Sequence, residues 1–304
     1  MILTSASSNP VAERLARLPR PLLWVIAARL KTLSLSQVPV LAGTWLAAQG
    51  SGWRWDLALA AMLAAGAIQI GTNLWNDAAD AARGVDGPDR LGPPRLTALG
   101  LLDGAKVRRA AALAFGVAAV SGAWLALVGG WPILLIGVLS LMLGYFYSMG
   151  PWPMSGLPFG ELLVIAFFGL IAVAGTAFLH GAALAPRVGL MGLMVGFPAA
   201  AVLLLNNHRD RVTDSLAGRR TLAILLGVTG ARVLYGVLLS VALGLAWRLA
   251  PCVSLLPAAL LVGGLAWAMA RTPVCVALNR LLALTAAAQM ALLAGVVAAP
   301  WICP

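Results

Sequence analysis

Nine stretches of mainly apolar residues, each long enough to cross a bilayer as a helix, run through the 304-residue chain. A spanning helix needs roughly 20 such residues because the hydrocarbon core of a membrane is about 30 Å thick. The chain is 61% hydrophobic and only 10% charged, which is too little polar surface for a soluble domain of this length. The sequence therefore predicts an all-α, polytopic integral membrane protein. The nine predicted spans cover residues 30–48, 57–75, 109–128, 132–148, 160–179, 188–206, 229–247, 253–270 and 281–299.

The basic residues are divided very unevenly between the two sides of these spans. With nine spans, 17 of the 21 Lys and Arg residues fall on the side of the N-terminus, and only Arg54, Arg187 and Arg248 fall on the other. Lys and Arg accumulate in cytoplasmic loops, so we expect a cytoplasmic N-terminus and a C-terminus outside. Loops that set orientation and contact anionic lipid also account for the net charge of +11. No nucleic-acid partner is therefore expected.

The polar N-terminal residues 1–21 favour a cytoplasmic segment with an amphipathic surface helix, not a cleaved signal peptide. Residues 22–304 are predicted to form a single transmembrane domain. The cysteines Cys252, Cys275 and Cys303 lack metal-ligand spacing, and their odd number argues against a disulfide framework. We therefore expect all three to fill apolar helix surfaces.

Seven of the ten acidic residues lie in two long loops or at the helix ends that enter them. Asn73, Asp77 and Asp80 follow the spacing i, i+4 and i+7, which places them on one helical face, with Asn76 beside it. Helix C-termini carry partial negative charge, so carboxylates stacked there require a cation. A second cluster repeats the pattern of Asn followed by Asp. Its members are Asn206, Asn207, Asp210 and Asp214.

Mg²⁺ suits these clusters because it prefers oxygen ligands and is commonly held by a few carboxylates together with substrate phosphates. We predict that Asp77, Asp80, Asp210 and Asp214 are both the metal ligands and the catalytic residues. Arginine binds phosphate well, although any single arginine here could equally serve to set topology. Together these features predict a Mg²⁺–diphosphate site beside lipid. The basic residues predicted to bind substrate are Arg29, Lys31, Arg83, Arg95, Arg211 and Arg219.

The two acidic segments resemble the aspartate-rich motifs of the UbiA-type membrane prenyltransferases. The first motif is Asn73-Leu-Trp-Asn-Asp-Ala-Ala-Asp-Ala-Ala-Arg-Gly-Val-Asp86, and the second runs from Asn207 to Thr221. Further segments resemble one branch of this family, the 1,4-dihydroxy-2-naphthoate polyprenyltransferases of menaquinone biosynthesis. They are residues 28–32 with 38–39, residues 90–95, and residues 150–153 with 160–161. The resemblance covers roughly residues 24–228.

The resemblance implies an enzyme whose helices surround a central cavity open to lipid, in a bacterial cytoplasmic (inner) membrane. Such an enzyme transfers the chain of a polyprenyl diphosphate to dihydroxynaphthoate with loss of the carboxylate, which gives demethylmenaquinone. Mg²⁺ on the four aspartates would stabilise the departing diphosphate, and a dry cavity would protect the carbocation. The remaining substrate-binding residues that we expect are Asn73, Asn76, Asp86, Asn207, Tyr145 and Tyr147.

The roles of two sets of residues stay open. Many relatives have an aspartate at the position of Gly84, and we expect Asp86 to take its role. Tyr145 and Tyr147 could stabilise a cation through their ring faces or anchor a helix at the membrane interface.

Two alternative functions follow from the same residues. The first is prenyl transfer to another acceptor, such as hydroxybenzoate, homogentisate or haem. The second is a secondary transporter whose aspartates bind cations. Transporter sites usually lie near the bilayer midplane on broken helices, whereas both clusters here lie on one side. The transporter is therefore the less favoured alternative.

Overall fold

A computed structural model describes residues 10–50, 52–84, 91–147 and 153–303. All regular secondary structure in these ranges is helical, which confirms the all-α prediction. The helices are α1 (Pro10–Ala16), α2 (Arg20–Ala28), α3 (Ser34–Ala48), α4 (Trp55–Ala82), α5 (Gly104–Gly129), α6 (Trp131–Phe146), α7 (Gly160–Val164), α8 (Ala172–Leu179), α9 (Pro186–Arg209), α10 (Arg211–Leu216), α11 (Leu222–Leu249), α12 (Leu256–Arg271) and α13 (Leu278–Ile302). A π-helical segment, Ile165–Ile171, joins α7 to α8.

Within the described ranges, seven helical segments are long and apolar enough to cross a membrane, and α7 and α8 count as one of them. An eighth span results if Arg20–Thr32 and α3 form a single unit, which bends by 49°. Helix α6 is apolar but has 16 residues, which extend about 24 Å at 1.5 Å per residue. This length is less than the bilayer core of about 30 Å. The polytopic membrane class is confirmed, while the count of nine spans stays a prediction.

Helix α2 covers the C-terminal end of α4, which carries the first aspartate motif. Leu23 and Ala27 of α2 are buried in one apolar cluster with Leu74 and Ala78 of α4. The apolar face of this N-terminal helix thus packs on protein. The division of the chain into a segment 1–21 and a transmembrane domain stays a prediction.

Helix α9 is the most buried of the apolar helices among the described residues, and it crosses the α7–α8 unit in direct backbone contact. A Cβ atom at Gly169 would lie 2.5 Å from the carbonyl oxygen of Gly192 and 2.9 Å from the Cα of Gly196. Small residues at such crossings let membrane helices approach closely. The π-helical segment that contains Gly169 also contributes Phe167 and Phe168 to the wall of a central cavity.

Cys252 and Cys303 form a disulfide with a Cα separation of 5.9 Å. This finding corrects the expectation that all three cysteines fill apolar helix surfaces. Cys252 lies just before α12 and Cys303 directly follows α13. Because these two helices fold back on each other, residues 51 positions apart meet at one end of the pair. Cys275, in the connection between the two helices, has a free thiol.

Candidate active site

The two aspartate motifs meet at one end of the helix bundle. Asp77 and Asp80 lie in the last turns of α4, Asp210 follows the last residue of α9, and Asp214 lies in α10. All four side chains are buried, with exposed fractions between 2% and 8%. Buried charges are costly unless they are paired, so the partners of these carboxylates determine how the site is built.

Arg219 connects the two motifs through its guanidinium group. One Nη donates to Asp80 at 2.9 Å and the other donates to Asp214 at 2.8 Å. Arg95 donates to the second oxygen of Asp80 at 3.0 Å. Burial alone would lower the pKa of Arg219, but the carboxylates of Asp80 and Asp214 raise that pKa above its ordinary value. Arg219 therefore stays cationic between two anionic motifs.

A tight turn after α10 places Arg219 in this position. Gly218 has a φ of 75°, a conformation that costs glycine little and other residues more. The N–H of Arg219 donates to the carbonyl of Asp214 at 2.9 Å, and the N–H of Arg220 donates to the carbonyl of Gly156 at 2.8 Å. The turn is thus fixed to both the second motif and the loop before α7.

Asp210 is held by its neighbour Arg209, which is almost completely buried. Nε and one Nη of Arg209 donate to the two carboxylate oxygens at 2.8 and 2.6 Å. The other Nη donates to Asn279 of α13 at 2.7 Å, and the Asn279 amide donates to the carbonyl of Leu91 at 2.9 Å. This chain of contacts links the second motif to the segment that follows the first.

Asp77 and Glu161 each have one oxygen with a partner and one without. Thr97 donates to Oδ2 of Asp77 at 3.1 Å, and Asn207 donates to Oε1 of Glu161 at 3.0 Å. Asp77 Oδ1 and Glu161 Oε2 are buried and have no hydrogen-bond partner among the described residues. A cation or a donor group on a ligand would satisfy such an oxygen.

A mainly apolar cavity of about 640 Å³ extends from the aspartates into the bundle. Along α4 its wall runs from Asn76 to Ala61, a distance of about 22 Å at 1.5 Å per residue. Polar groups are concentrated at the end where the motifs meet. The charged side chains, the asparagines and the tyrosine that line the cavity are Arg29, Asn73, Asn76, Arg95, Tyr147, Asn206, Asn207, Asp210, Asp214 and Arg219.

Most of the predicted site residues lie at this end of the cavity. Asn73 lines it while its amide donates to the carbonyl of Ala28 at 3.0 Å. Asp77 and Asp80 lie behind the wall, where Thr97 and two arginines contact them. Asp86 is outside the described residues. Besides Asp77 and Asp80, four further predicted residues among those described do not line the cavity: Lys31, Arg83, Tyr145 and Arg211.

Local geometry explains these four positions. Tyr145 is two residues from Tyr147, so at 3.6 residues per turn their side chains diverge by about 200°; the Tyr145 ring instead packs 5.6 Å from that of Trp75. Arg211 lies in a separate surface pocket on α10. Lys31 and Arg83 are exposed, as expected of residues that set topology. The two motifs thus converge, while part of the predicted basic set does not.

Within the described ranges, no group of three or more His, Cys, Asp or Glu side chains is arranged to hold a metal. Mg²⁺ does not require such a group, because one or two carboxylates and substrate phosphates commonly suffice. The available donors are oxygens, and Asp77 offers one without a hydrogen-bond partner. The donor set therefore fits Mg²⁺ bound together with a phosphate-bearing ligand.

The fold and the site together define a polytopic membrane enzyme whose charged centre opens into a cavity with a lipid-like interior. The sequence model of the UbiA prenyltransferase family matches residues 36–291 of the chain. The chain belongs to this family.

Two bacterial relatives and one solved structure are similar to this chain and belong to the same class of membrane prenyltransferase. A Mycobacterium tuberculosis protein named 1,4-dihydroxy-2-naphthoate octaprenyltransferase is 39% identical over 72% of this chain and 75% of its own. An Escherichia coli protein of the same name is 34% identical over 71% and 72%. The structure of a UbiA homologue from Archaeoglobus fulgidus bound to DMAPP and Mg²⁺ has the same fold, with a TM-score of 0.59 and 14% identity over 89% of this chain and 98% of that one.

Proposed function

We propose that the protein transfers the prenyl chain of a polyprenyl diphosphate to 1,4-dihydroxy-2-naphthoate. The observation that carries this proposal is that Arg219 joins Asp80 and Asp214 where an apolar cavity begins. A diphosphate requires cations, and a prenyl chain requires a dry apolar site, and the two environments adjoin here. The names of the mycobacterial and enterobacterial relatives support dihydroxynaphthoate as the acceptor.

The polar end of the cavity would bind the diphosphate. Arg29, Arg95 and Arg219 line it and supply positive charge. The residues that would hold Mg²⁺ are Asp77, Asp80, Asp210 and Asp214. When bound, Mg²⁺ would supply the charge that stabilises the departing diphosphate. The described residues fit this role because their donors are oxygens, the ligands that Mg²⁺ prefers.

Asn207 would orient the diphosphate or its metal. The Nδ2 of its amide donates to Glu161 at 3.0 Å. This hydrogen bond fixes which way the amide faces, so the Oδ1 of Asn207 is the atom left to accept a hydrogen bond or bind a cation. Asn73 is fixed in the same manner by the carbonyl of Ala28. Both side chains line the cavity.

The apolar wall would protect the reacting carbon. The allylic C–O bond breaks, its electron pair leaves with the diphosphate, and a ring carbon of the acceptor forms the new C–C bond. Loss of the carboxylate as CO₂ gives the naphthalenediol that is the reduced form of demethylmenaquinone. Phe167, Phe168 and Tyr147 line the cavity, so they exclude water and offer ring faces to an allylic cation.

We also propose that the N-terminus and the aspartate end face the cytoplasm of a bacterium and that the C-terminus lies outside, across the inner membrane. Two independent observations support this orientation. Lys and Arg are concentrated on the aspartate side, and the disulfide between Cys252 and Cys303 lies at the ends of α12 and α13 away from Cys275. Disulfides persist in oxidising compartments.

An assay with membranes or purified protein tests the proposed function. Octaprenyl diphosphate is supplied with Mg²⁺ and with either dihydroxynaphthoate or hydroxybenzoate, and the prenylated product is identified by mass. We expect product from dihydroxynaphthoate, with release of CO₂ and diphosphate. Product from hydroxybenzoate alone would favour the alternative acceptor, and no prenylation of any aromatic acceptor would contradict the proposal.

A further inference from the structure

A second pocket lies on the outside of α10, apart from the central cavity. It is a groove of about 240 Å³ that is lined by Arg211, Val212, Ser215, Leu216 and Ile224. We call these five residues the α10 groove. None of the five lines the central cavity, so the groove is a separate site.

Helix α10 presents different faces to the cavity and to the groove. Asp214 is buried, lines the cavity and pairs with Arg219 at 2.8 Å. The four groove residues of α10 follow the spacing i, i+1, i+4 and i+5, which places them together on one side of a helix. The second motif thus uses one face of α10, and the other face forms the groove.

The groove lies where two spanning helices leave the bilayer, because α10 connects α9 to α11 and both are long and apolar enough to cross a membrane. Val212 is 61% exposed and Leu216 is 85% exposed. Leu225 and Val233 of α11 are exposed to a similar extent. Large apolar side chains in such a place are typical of a surface that contacts the boundary between headgroups and acyl chains.

Arg211 is the charged residue of the groove, and no carboxylate neutralises it. Asp210 is held by Arg209, and Asp214 is held by Arg219. Within the described ranges Arg211 forms no ion pair, and its buried Nε has no hydrogen-bond partner. A half-buried guanidinium group without an acceptor is costly. An anionic oxygen in the groove supplies that acceptor.

A second arginine adds positive charge to this region. Arg232 of α11 and Arg211 both act electrostatically on the ring of His208, which is completely buried. Arg232 donates to the carbonyl of Thr272 at 2.6 Å, so its partner among the described residues is a neutral group. The positive potential here favours an anionic ligand.

We propose that the α10 groove binds the headgroup of an anionic phospholipid from the leaflet on the aspartate side. The phosphodiester contacts the guanidinium group of Arg211, which suits phosphate oxygens, and the hydroxyl of Ser215. The acyl chains lie against Val212 and Leu216. Because Arg211 and Ser215 directly follow Asp210 and Asp214 in the chain, the bound headgroup connects the second motif to the bilayer.

The experiment measures the affinity of the full-length protein in detergent for the first bound molecule of phosphatidylglycerol or phosphatidylcholine, by native mass spectrometry. EDTA prevents phosphate from binding through Mg²⁺ at the aspartates. Arg211→Gln removes the charge and Arg211→Lys keeps it. Ser215→Glu adds a carboxylate at an exposed position, where substitutions disturb folding little. Arg220→Gln is the matched control, because Arg220 lies in the same connection, is exposed and does not line the groove.

We expect the wild type to bind phosphatidylglycerol at least about fivefold more tightly than phosphatidylcholine, the preference that one basic residue near a headgroup provides. Arg211→Gln and Ser215→Glu should abolish most of this preference, while Arg211→Lys and Arg220→Gln should keep it. Lipid binding does not require prenyl transfer, so this result is independent of the proposed function.

Three outcomes would overturn the assignment. The first is a wild type without the preference, and the second is a preference that persists in both Arg211→Gln and Ser215→Glu or is lost equally in Arg220→Gln. The third is displacement of phosphatidylglycerol by inorganic phosphate at equal concentration, which would show a site for free phosphate and not for lipid.

Discussion

Asp80 and Arg219 form a partly buried ion pair at 2.9 Å although 139 residues separate them in the chain. The same guanidinium group donates to Asp214 at 2.8 Å. One arginine thus neutralises a carboxylate from each motif, and the width of its guanidinium group sets how far apart the motifs lie. A diphosphate that binds between them must share this arginine with the carboxylates.

Replacement of Arg219 should affect both activity and stability. Arg219→Gln leaves two buried carboxylates without this partner, and breaking a fully buried pair costs about 3–5 kcal/mol. Because the Arg219 side chain is 18% exposed, we expect a smaller loss of about 1–3 kcal/mol, visible as a lower Tm in detergent. Turnover should fall at least about a hundredfold. The control is Arg220→Gln, since Arg220 is exposed, and equal effects in the two variants would contradict the bridging role.

The aspartates of both motifs should be essential for turnover. Asp77→Asn and Asp210→Asn each replace a proposed metal ligand with a neutral isostere, and each should reduce turnover by at least about a hundredfold, comparable to the loss of a major transition-state stabiliser. Expression should stay normal, which detergent extraction and size-exclusion chromatography would check.

Two other aspartates provide controls for this prediction. Asp56 pairs with Arg54 at the other end of α4, so Asp56→Asn should leave turnover unchanged. Asp103 accepts a hydrogen bond from the N–H of Lys106 at the start of α5, and asparagine caps a helix about as well as aspartate does. Asp103→Asn should therefore have a small effect. Near-wild-type turnover in both motif variants would rule out the two-motif site.

The membrane spans could be predicted because they depend only on the length of apolar runs. The predicted span 160–179 coincides with the apolar unit Gly160–Leu179, and the others differ mainly at their ends. Hydropathy could not show that α6 is short, or that Arg20–Thr32 and α3 meet at 49°. The hydropathy of the sequence could not predict the π-helical segment either, because this segment lies where Gly169 packs against α9.

The motif residues could be predicted because the aspartates follow helical spacing within short segments. Other contacts of the site join distant parts of the chain and carry no local signal. Thr97 contacts Asp77 across 20 residues, and Asn279 contacts Arg209 across 70. Arg209 is part of the second motif, but the sequence could not show that its side chain is buried and bound to Asp210.

Removal of divalent metal should abolish activity. The proposed chemistry requires Mg²⁺ at the diphosphate, so EDTA should stop turnover, and an excess of Mg²⁺ or Mn²⁺ should restore it. Ligands that bind the native state raise its stability, so Mg²⁺ with inorganic diphosphate should raise the Tm of the wild type. The same addition should have little effect on Asp77→Asn. Full turnover in chelator would contradict the metal-dependent mechanism.

The disulfide between Cys252 and Cys303 should be present in cells and should stabilise the C-terminal helices. Closing a loop of 51 residues is worth about 4 kcal/mol in the chain-entropy view, although strain can reduce the gain. Reduction by dithiothreitol should therefore lower the Tm of the wild type by several degrees. Cys252→Ser should start at the lower Tm and show no response, while Cys275→Ser should respond like the wild type because its thiol is free.

The same cysteines test the orientation. If α12 and α13 end outside the cytoplasm at Cys252 and Cys303, an oxidising compartment forms the bond, and Cys275 faces the cytoplasm. In intact cells, a membrane-impermeant maleimide should then label neither the oxidised pair nor Cys275. In Cys252→Ser, the same reagent should label Cys303 without permeabilisation, whereas labelling of Cys275 should require it. Labelling of Cys275 in intact cells, with Cys303 protected, would reverse the proposed orientation and place the aspartates outside.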